Sequence, residues 1–259
     1  MLLTMQVNGT EICYDESGYD NGPAIVLLTG LLPYLAKSHW VIRVCWRGHG
    51  PSRDDIPDFG VDEQVRDTLA LLDLLGVDEF YIVSHSHGGW AALEIVNRVG
   101  KPRIRGVVMI DQIMTAPPPE FAADLQKMQP KATWRTARKS LFDNWIGHST
   151  NQAVLDHFMY SMGSFGHSMW SLSCRVIADA YKTWTSPMAR MAAFADPPPI
   201  RHIFSHPLDN PQYRQAHQDF AKEHAWFSYT DLKGVTHFPS LEIPARVAEQ
   251  VEDVIKRGA

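Results

Sequence analysis

A chain of 259 residues with 45% apolar content can build one sizeable core, and a single domain spanning residues 1–259 is expected. The formal net charge of −5, with no basic block or stripe, argues against nucleic acid as a partner. The N-terminus lacks a signal-peptide layout, and no apolar run approaches the ~18 residues of a membrane span.

The three cysteines, Cys13, Cys45 and Cys174, form no C-x-x-C pair and read as ordinary buried thiols of a reduced, cytoplasmic protein. Eight tryptophans and twelve histidines suit a flat, aromatic ligand with polar edges.

In chain order, Asn8-Gly9 between residues 5–7 and 11–14 signals a hairpin. Residues 24–28 and 40–45 are short apolar runs that read as buried strands. Val65, Leu69, Leu72 and Leu75 recur at helical spacing over 61–75, and Gly76 follows as a stop. Residues 80–83 are a strand, 84–89 a turn, 90–99 a helix and 104–110 a strand. This alternation predicts an α/β fold with a mostly parallel central sheet and helices on both faces. The rhythm breaks over about 116–191, which opens with three prolines and holds helical patterns at 121–128 and 153–162. That segment reads as a helical cap over the sheet's C-terminal edge. Alternation resumes with strands at 200–205 and 227–232 and helices at 212–224 and 244–256.

Ser84-His85-Ser86-His87-Gly88-Gly89 sits between a strand and a helix, the setting of a nucleophile elbow. A sharp turn there lifts Ser86 above the sheet edge, and the helix N-terminus aims N–H groups at developing negative charge. The first glycine of the usual G-x-S-x-G is Ser84. His85 and His87 flank the serine. An H-x-H pair can ligate a metal, but no third ligand stands out by spacing, so no metal is expected and the two read as pocket lining or turn support. His237 follows the last predicted strand, where a base reaches the elbow from the other side. Two acids could orient it: Asp111, at the end of 104–110, and Asp209, after 200–205.

Trp46-Arg47-Gly48-His49-Gly50 matches a loop common in α/β-hydrolase-fold proteins. The elbow through Trp90, Arg201-His202-Ile203-Phe204-Ser205, Trp226-Phe227-Ser228-Tyr229 and Thr236-His237-Phe238-Pro239 together resemble the bacterial 1H-3-hydroxy-4-oxoquinoline and 3-hydroxy-4-oxoquinaldine 2,4-dioxygenases over nearly the whole chain. The resemblance implies an α/β-hydrolase fold whose reaction uses neither metal nor organic cofactor. Such an enzyme cleaves a 3-hydroxy-4(1H)-quinolone with O2 to carbon monoxide and an N-acyl- or N-formylanthranilate. It also implies His237 as general base, Asp111 as its partner and Ser86 as a hydrogen-bonding group to the substrate. Trp145 and Trp170 match cap tryptophans around the ring.

Two departures stand out. Gly30 runs into Leu31-Leu32-Pro33 and then almost directly into the next strand. About ten residues of the family's loop are absent, where a parallel crossover takes roughly a dozen or more. Gln112 stands where relatives carry Trp and reshapes the pocket for a different 2-substituent. Two other readings remain open: a serine hydrolase with Ser86 as nucleophile, and a non-catalytic binding protein on the same scaffold.

Overall fold

The computed structural model describes residues 2–19, 21–27, 34–49, 58–206 and 210–258. Asn8 and Gly9 turn the chain at φ 48° and 74°, the left-handed pair that a two-residue hairpin demands. They join β1 (Leu3–Val7) to β2 (Thr10–Ser17). The remaining strands are β3 (Ala24–Leu27), β4 (Trp40–Cys45), β5 (Phe80–His85), β6 (Ile104–Ile110), β7 (Ile200–Phe204) and β8 (Phe227–Asp231). Their order across the sheet is β1-β2-β4-β3-β5-β6-β7-β8. The pairings of β2 with β1 and β4 are antiparallel and the others parallel. The direction of winding reverses between β3 and β5, and the crevice beyond the C-terminal ends of such strands is where open α/β sheets bind ligands.

Alternate residues of each central strand feed two cores. Val26, Ile82, Val107 and Met109 face α1 (Val61–Leu74) and α2 (Gly88–Arg103). Ile25, Tyr81, Val83 and Val108 face the last helix (Pro244–Gly258), through Val247, Val251 and Val254. Each fully buried aliphatic side chain here contributes about 1.5–3 kcal/mol, so both sheet faces must be covered. α2 begins at Gly88, two residues before the expected start, and its regular course breaks at Gly100 (φ 53°).

Between β6 and β7 lie α3 (Pro119–Lys127), α4 (Trp134–Ile146), α5 (Gln152–Asp156), α6 (His167–Trp184) and α7 (Pro187–Ala192), with no strand. The helix expected over 153–162 is regular only to Asp156. A wider turn (His157–Ser161) and a tight one (Met162–Ser164) follow, and they carry Phe158 into an aromatic cluster with Phe142 and Phe238. Beyond β7 come α8 (Pro211–Glu223), β8, the short α9 (Pro239–Glu242) and α10 (Pro244–Gly258). Among the described residues no helix is long and apolar enough to cross a membrane.

The cysteines are not three scattered buried thiols: Cys13 and Cys45 stand directly opposite each other on β2 and β4 and are only half-buried, and Cys174 alone is buried. Strand register, which spacing along the chain does not reveal, brings the pair together. The Gly30 to Pro33 segment lies outside the described residues, as does Asp209. In the described part of the β3–β4 connection there is one three-residue turn (Leu35–Lys37).

Candidate active site

Ser86 occupies the step between β5 and α2 at φ 50°. Its N–H donates to the Ile110 carbonyl at 2.8 Å, and its carbonyl accepts from Gly89 N–H at 3.0 Å. A left-handed non-glycine residue costs on the order of 1–3 kcal/mol, and such strain collects at functional sites. Gly89 lets α2 pack closely there: a Cβ would lie 2.6 Å from the Met109 Cε and 2.8 Å from the Gln112 Oε1, and those side-chain ends would have to shift. Small side chains thus bring α2 close against β6 and leave Ser86 at the sheet's C-terminal edge.

Asp111 directly follows β6, also left-handed (φ 51°) and 2% exposed. Its Oδ1 accepts from the Ser205 and His206 backbone N–H groups at 2.7 and 3.0 Å, and its Oδ2 lies 2.9 Å from His237 Nδ1. His237 Nε2 is 2.9 Å from Ser86 Oγ. The carboxylate holds the proton of the imidazole on Nδ1, which leaves Nε2 as the acceptor facing Ser86.

The loop bearing His237 is tied at several backbone points. His237 N–H donates to the Trp145 carbonyl at 3.0 Å, and the His237 carbonyl accepts from His85 Nε2–H at 2.6 Å. Glu242 accepts from Val235 N–H, Thr236 N–H and Thr236 Oγ1–H at 2.8–3.2 Å, while Ser205 Oγ–H donates to the Thr236 carbonyl at 2.7 Å.

An aromatic wall closes the site from the cap. Trp145 stacks on His237 with centroids 5.1 Å apart and planes at 23°. Phe142 touches both Trp145 and Trp170, at 6.3 and 5.6 Å, so Trp170 lies one ring further out. The Trp170 indole N–H is buried without a hydrogen-bond partner among the described residues, and so is His87 Nε2. The His87 ring lies 6.0 Å from Trp46 and 6.3 Å from His49. The two elbow histidines therefore differ: His85 is hydrogen-bonded to the His237 carbonyl, whereas His87 Nε2 has no partner among the described residues and sits beside Trp46 and His49. Gln112 is buried beside Tyr181, with its Nε2 donating to the Tyr181 hydroxyl at 3.3 Å.

Burial sets the charge states. It pushes His237 and His85 down to about 3 and His87 down to about 4, so all three rest neutral. Burial also pushes Asp111 up to about 6, against the pull of His206 and of the Ser205 and His206 N–H groups. Asp111, His206 and His237 bring three donor atoms within 4.8 Å of one another, enough to consider a metal. Two of the three are already joined in the His237–Asp111 hydrogen bond, and an ion would have to displace it. The sequence assigns no site role to His206, Ser205, Glu242 or Phe142, although Ser205 closes one of the motifs that carry the family resemblance. Two of them act through backbone N–H groups, and none carries a spacing signal.

A model of the alpha/beta hydrolase family matches residues 17–250. The chain is 47% identical to the 2-heptyl-3-hydroxy-4(1H)-quinolone dioxygenase of Mycobacteroides abscessus, over 98% of each chain. It is 36% identical to the 1H-3-hydroxy-4-oxoquinoline 2,4-dioxygenase of Pseudomonas putida, over 98% of this chain and 100% of that one. Among solved structures, a variant of AqdC in complex with its substrate, described for recognition and ring cleavage of the Pseudomonas quinolone signal, superposes with a TM-score of 0.96 at 47% identity over 100% of both chains. This chain thus belongs to the alpha/beta hydrolase family and, within it, to the 3-hydroxy-4-quinolone dioxygenases.

Proposed function

We propose that this protein opens the nitrogen-containing ring of 2-heptyl-3-hydroxy-4(1H)-quinolone with O2, releasing carbon monoxide and the N-acylanthranilate. The observation that carries this reading is the 47% identity, over 98% of both chains, to a dioxygenase of that substrate. The whole chain acts as one hydrolase-fold unit, with the cap over 116–191 closing on the substrate.

His237 Nε2 takes the proton of the 3-hydroxyl. Asp111, at 2.9 Å, stabilises the imidazolium that forms, and the face of Trp145 stacked on the ring adds to this. Ser86 turns its hydroxyl from His237 to the substrate oxygen. The deprotonated ring is electron-rich and passes an electron to O2 itself, so the chemistry calls for neither metal nor organic cofactor. Bonds from C3 to C2 and C4 break. C3 leaves with its own oxygen as carbon monoxide, and one atom of O2 ends on C2 as the amide oxygen and the other on C4 in the carboxylate. Trp145, Trp170 and Phe142 enclose the flat ring and exclude water. Trp170 N–H and His87 Nε2 offer polar contacts inside that enclosure.

Chelator-treated protein mixed with this quinolone under air releases one carbon monoxide per ring consumed, and none under nitrogen. Substrate bound without carbon monoxide release would leave a binding protein. A second reading, serine hydrolysis, is favoured by the 2.9 Å Ser86–His237 contact. Under it a fluorophosphonate labels Ser86, and Ser86→Ala abolishes ester turnover. Under ring cleavage Ser86→Ala retains substantial carbon monoxide release.

A further inference from the structure

Cysteine is a small, mostly buried residue, and a structural cysteine sits inside a core. Cys174 does so: it is 2% exposed and burial pushes its thiol up to about 12. Cys13 and Cys45 do not. They lie on the face of β2 and β4 that also carries Asp15 and Arg43, which are hydrogen-bonded to each other across the same two strands. Thr4 and Glu11, the neighbours of Cys13 on that side, are exposed. Both residues are half-buried, in contrast to Cys174.

The register sets Cys13 directly against Cys45. Directly opposed residues of an antiparallel pair stand about 4.5–5.5 Å apart at Cα, inside the roughly 4.4–6.8 Å that a disulfide bridges. The register therefore sets the two within disulfide reach. Nothing in ring cleavage uses either thiol.

We propose that Cys13 and Cys45 are a reversible dithiol–disulfide site, oxidised by two-electron oxidants of the peroxide class. One thiolate attacks a peroxide oxygen, the O–O bond breaks, and hydroxide leaves to give a sulfenic acid. The facing thiol gives up its proton and attacks that sulfur, the S–O bond breaks, and water departs. Two thiols and one hydrogen peroxide become one disulfide and two waters. Burial raises both thiols above their ordinary range, and Glu11 raises Cys13 further. The reaction is therefore run at mildly alkaline pH, where more thiolate is present.

The full chain is treated with hydrogen peroxide, alkylated under denaturing conditions and digested with trypsin without reductant. Titratable thiols fall from three to one per chain. The peptide carrying Cys13 is recovered joined to residues 44–47, Cys174 stays alkylated, and dithiothreitol restores all three thiols. Cys13→Ser and Cys45→Ser, made separately, each lose the linked peptide. Three alkylated cysteines after oxidant overturn the proposal. So does separate oxidation of Cys13 and Cys45 to sulfinic or sulfonic acids with no link, or a link that joins two chains.

Discussion

The two sides of the site are built on opposite principles. On the sheet side, every polar atom of the acid–base chain is spoken for. Asp111 accepts from two backbone N–H groups and faces His237, and the His237 backbone is bonded at both its N–H and its carbonyl. On the cap and recess side, polar atoms are buried with no protein partner among the described residues, namely Trp170 N–H and His87 Nε2. A buried polar group left unpaired costs about 1–3 kcal/mol, which a quinolone bound in the proposed site would recover by meeting these two atoms. In the proposed reaction the difference separates a preorganised proton acceptor from a receptive wall. It predicts that substitutions on the sheet side act on turnover and substitutions on the other act on binding.

The largest test is His237→Ala, which removes the proposed base. General-base catalysis contributes about 10²–10⁴-fold, and kcat for carbon monoxide release is expected to fall by that much while the quinolone still binds, as followed by its fluorescence. Asp111→Asn keeps the shape but loses a charge-assisted hydrogen bond worth about 1.5–3 kcal/mol, so kcat falls roughly 10- to 100-fold. Equal loss of binding in either variant would break the division between the two sides. Glu242→Gln probes the same side at one remove. Its carboxylate holds Val235 and Thr236 and touches no reacting atom. Misplacement of the His237 loop is expected to lower kcat up to about tenfold, with KM little changed and a few degrees lost in Tm.

The charge states sharpen the comparison through pH. Asp111, held up at about 6 by burial, loses its charge as pH falls through that value, so kcat/KM declines below about pH 6. Stability follows the histidines. In the unfolded chain they take up protons near 6.5, whereas burial holds folded His85 and His237 at about 3 and His217 at about 4. Below 6.5 the unfolded chain binds more protons, and each such histidine removes up to about 1.4 kcal/mol per pH unit as acidity rises towards its folded value. Asp111 works the other way, because its folded form is the first to be protonated. With one such acid against several histidines, Tm is expected to drop steadily between pH 6.5 and 4. A flat profile there would mean these rings are charged in the fold.

Much of the sheet was legible because its signals are local. Asn8-Gly9 carries its turn in two residues, and the apolar runs of β3 to β6 are short and bounded. Ser86 was legible as an elbow because strand, small residues and helix follow one another within ten positions. The choice of acid was not legible from residues alone, since Asp111 and Asp209 each follow a strand end. The packing of the His237 loop against the end of β6 brings Asp111 to it. The Cys13–Cys45 pair and Glu242 were invisible for a related reason: register and loop anchoring join residues far apart, and no periodicity records them. Nor could spacing tell His85 from His87. Both flank Ser86, and only the path of the backbone turns one beneath His237 and the other towards Trp46.

The smallest effect discriminates most finely on the cap side. Trp170→Phe keeps an aromatic ring against Phe142 and deletes the unpartnered N–H. If that donor meets the quinolone, the variant loses a hydrogen bond of about 1 kcal/mol, and KM rises roughly fivefold with kcat unchanged. If Trp170 serves only as cap core, KM stays put and the change is read in Tm alone. There the removal of an unsatisfied polar group offsets part of the packing lost with the larger ring. A fall in kcat without a change in KM would be the damaging result, because it would place a group of the receptive wall in the turnover machinery and erase the contrast between the two sides.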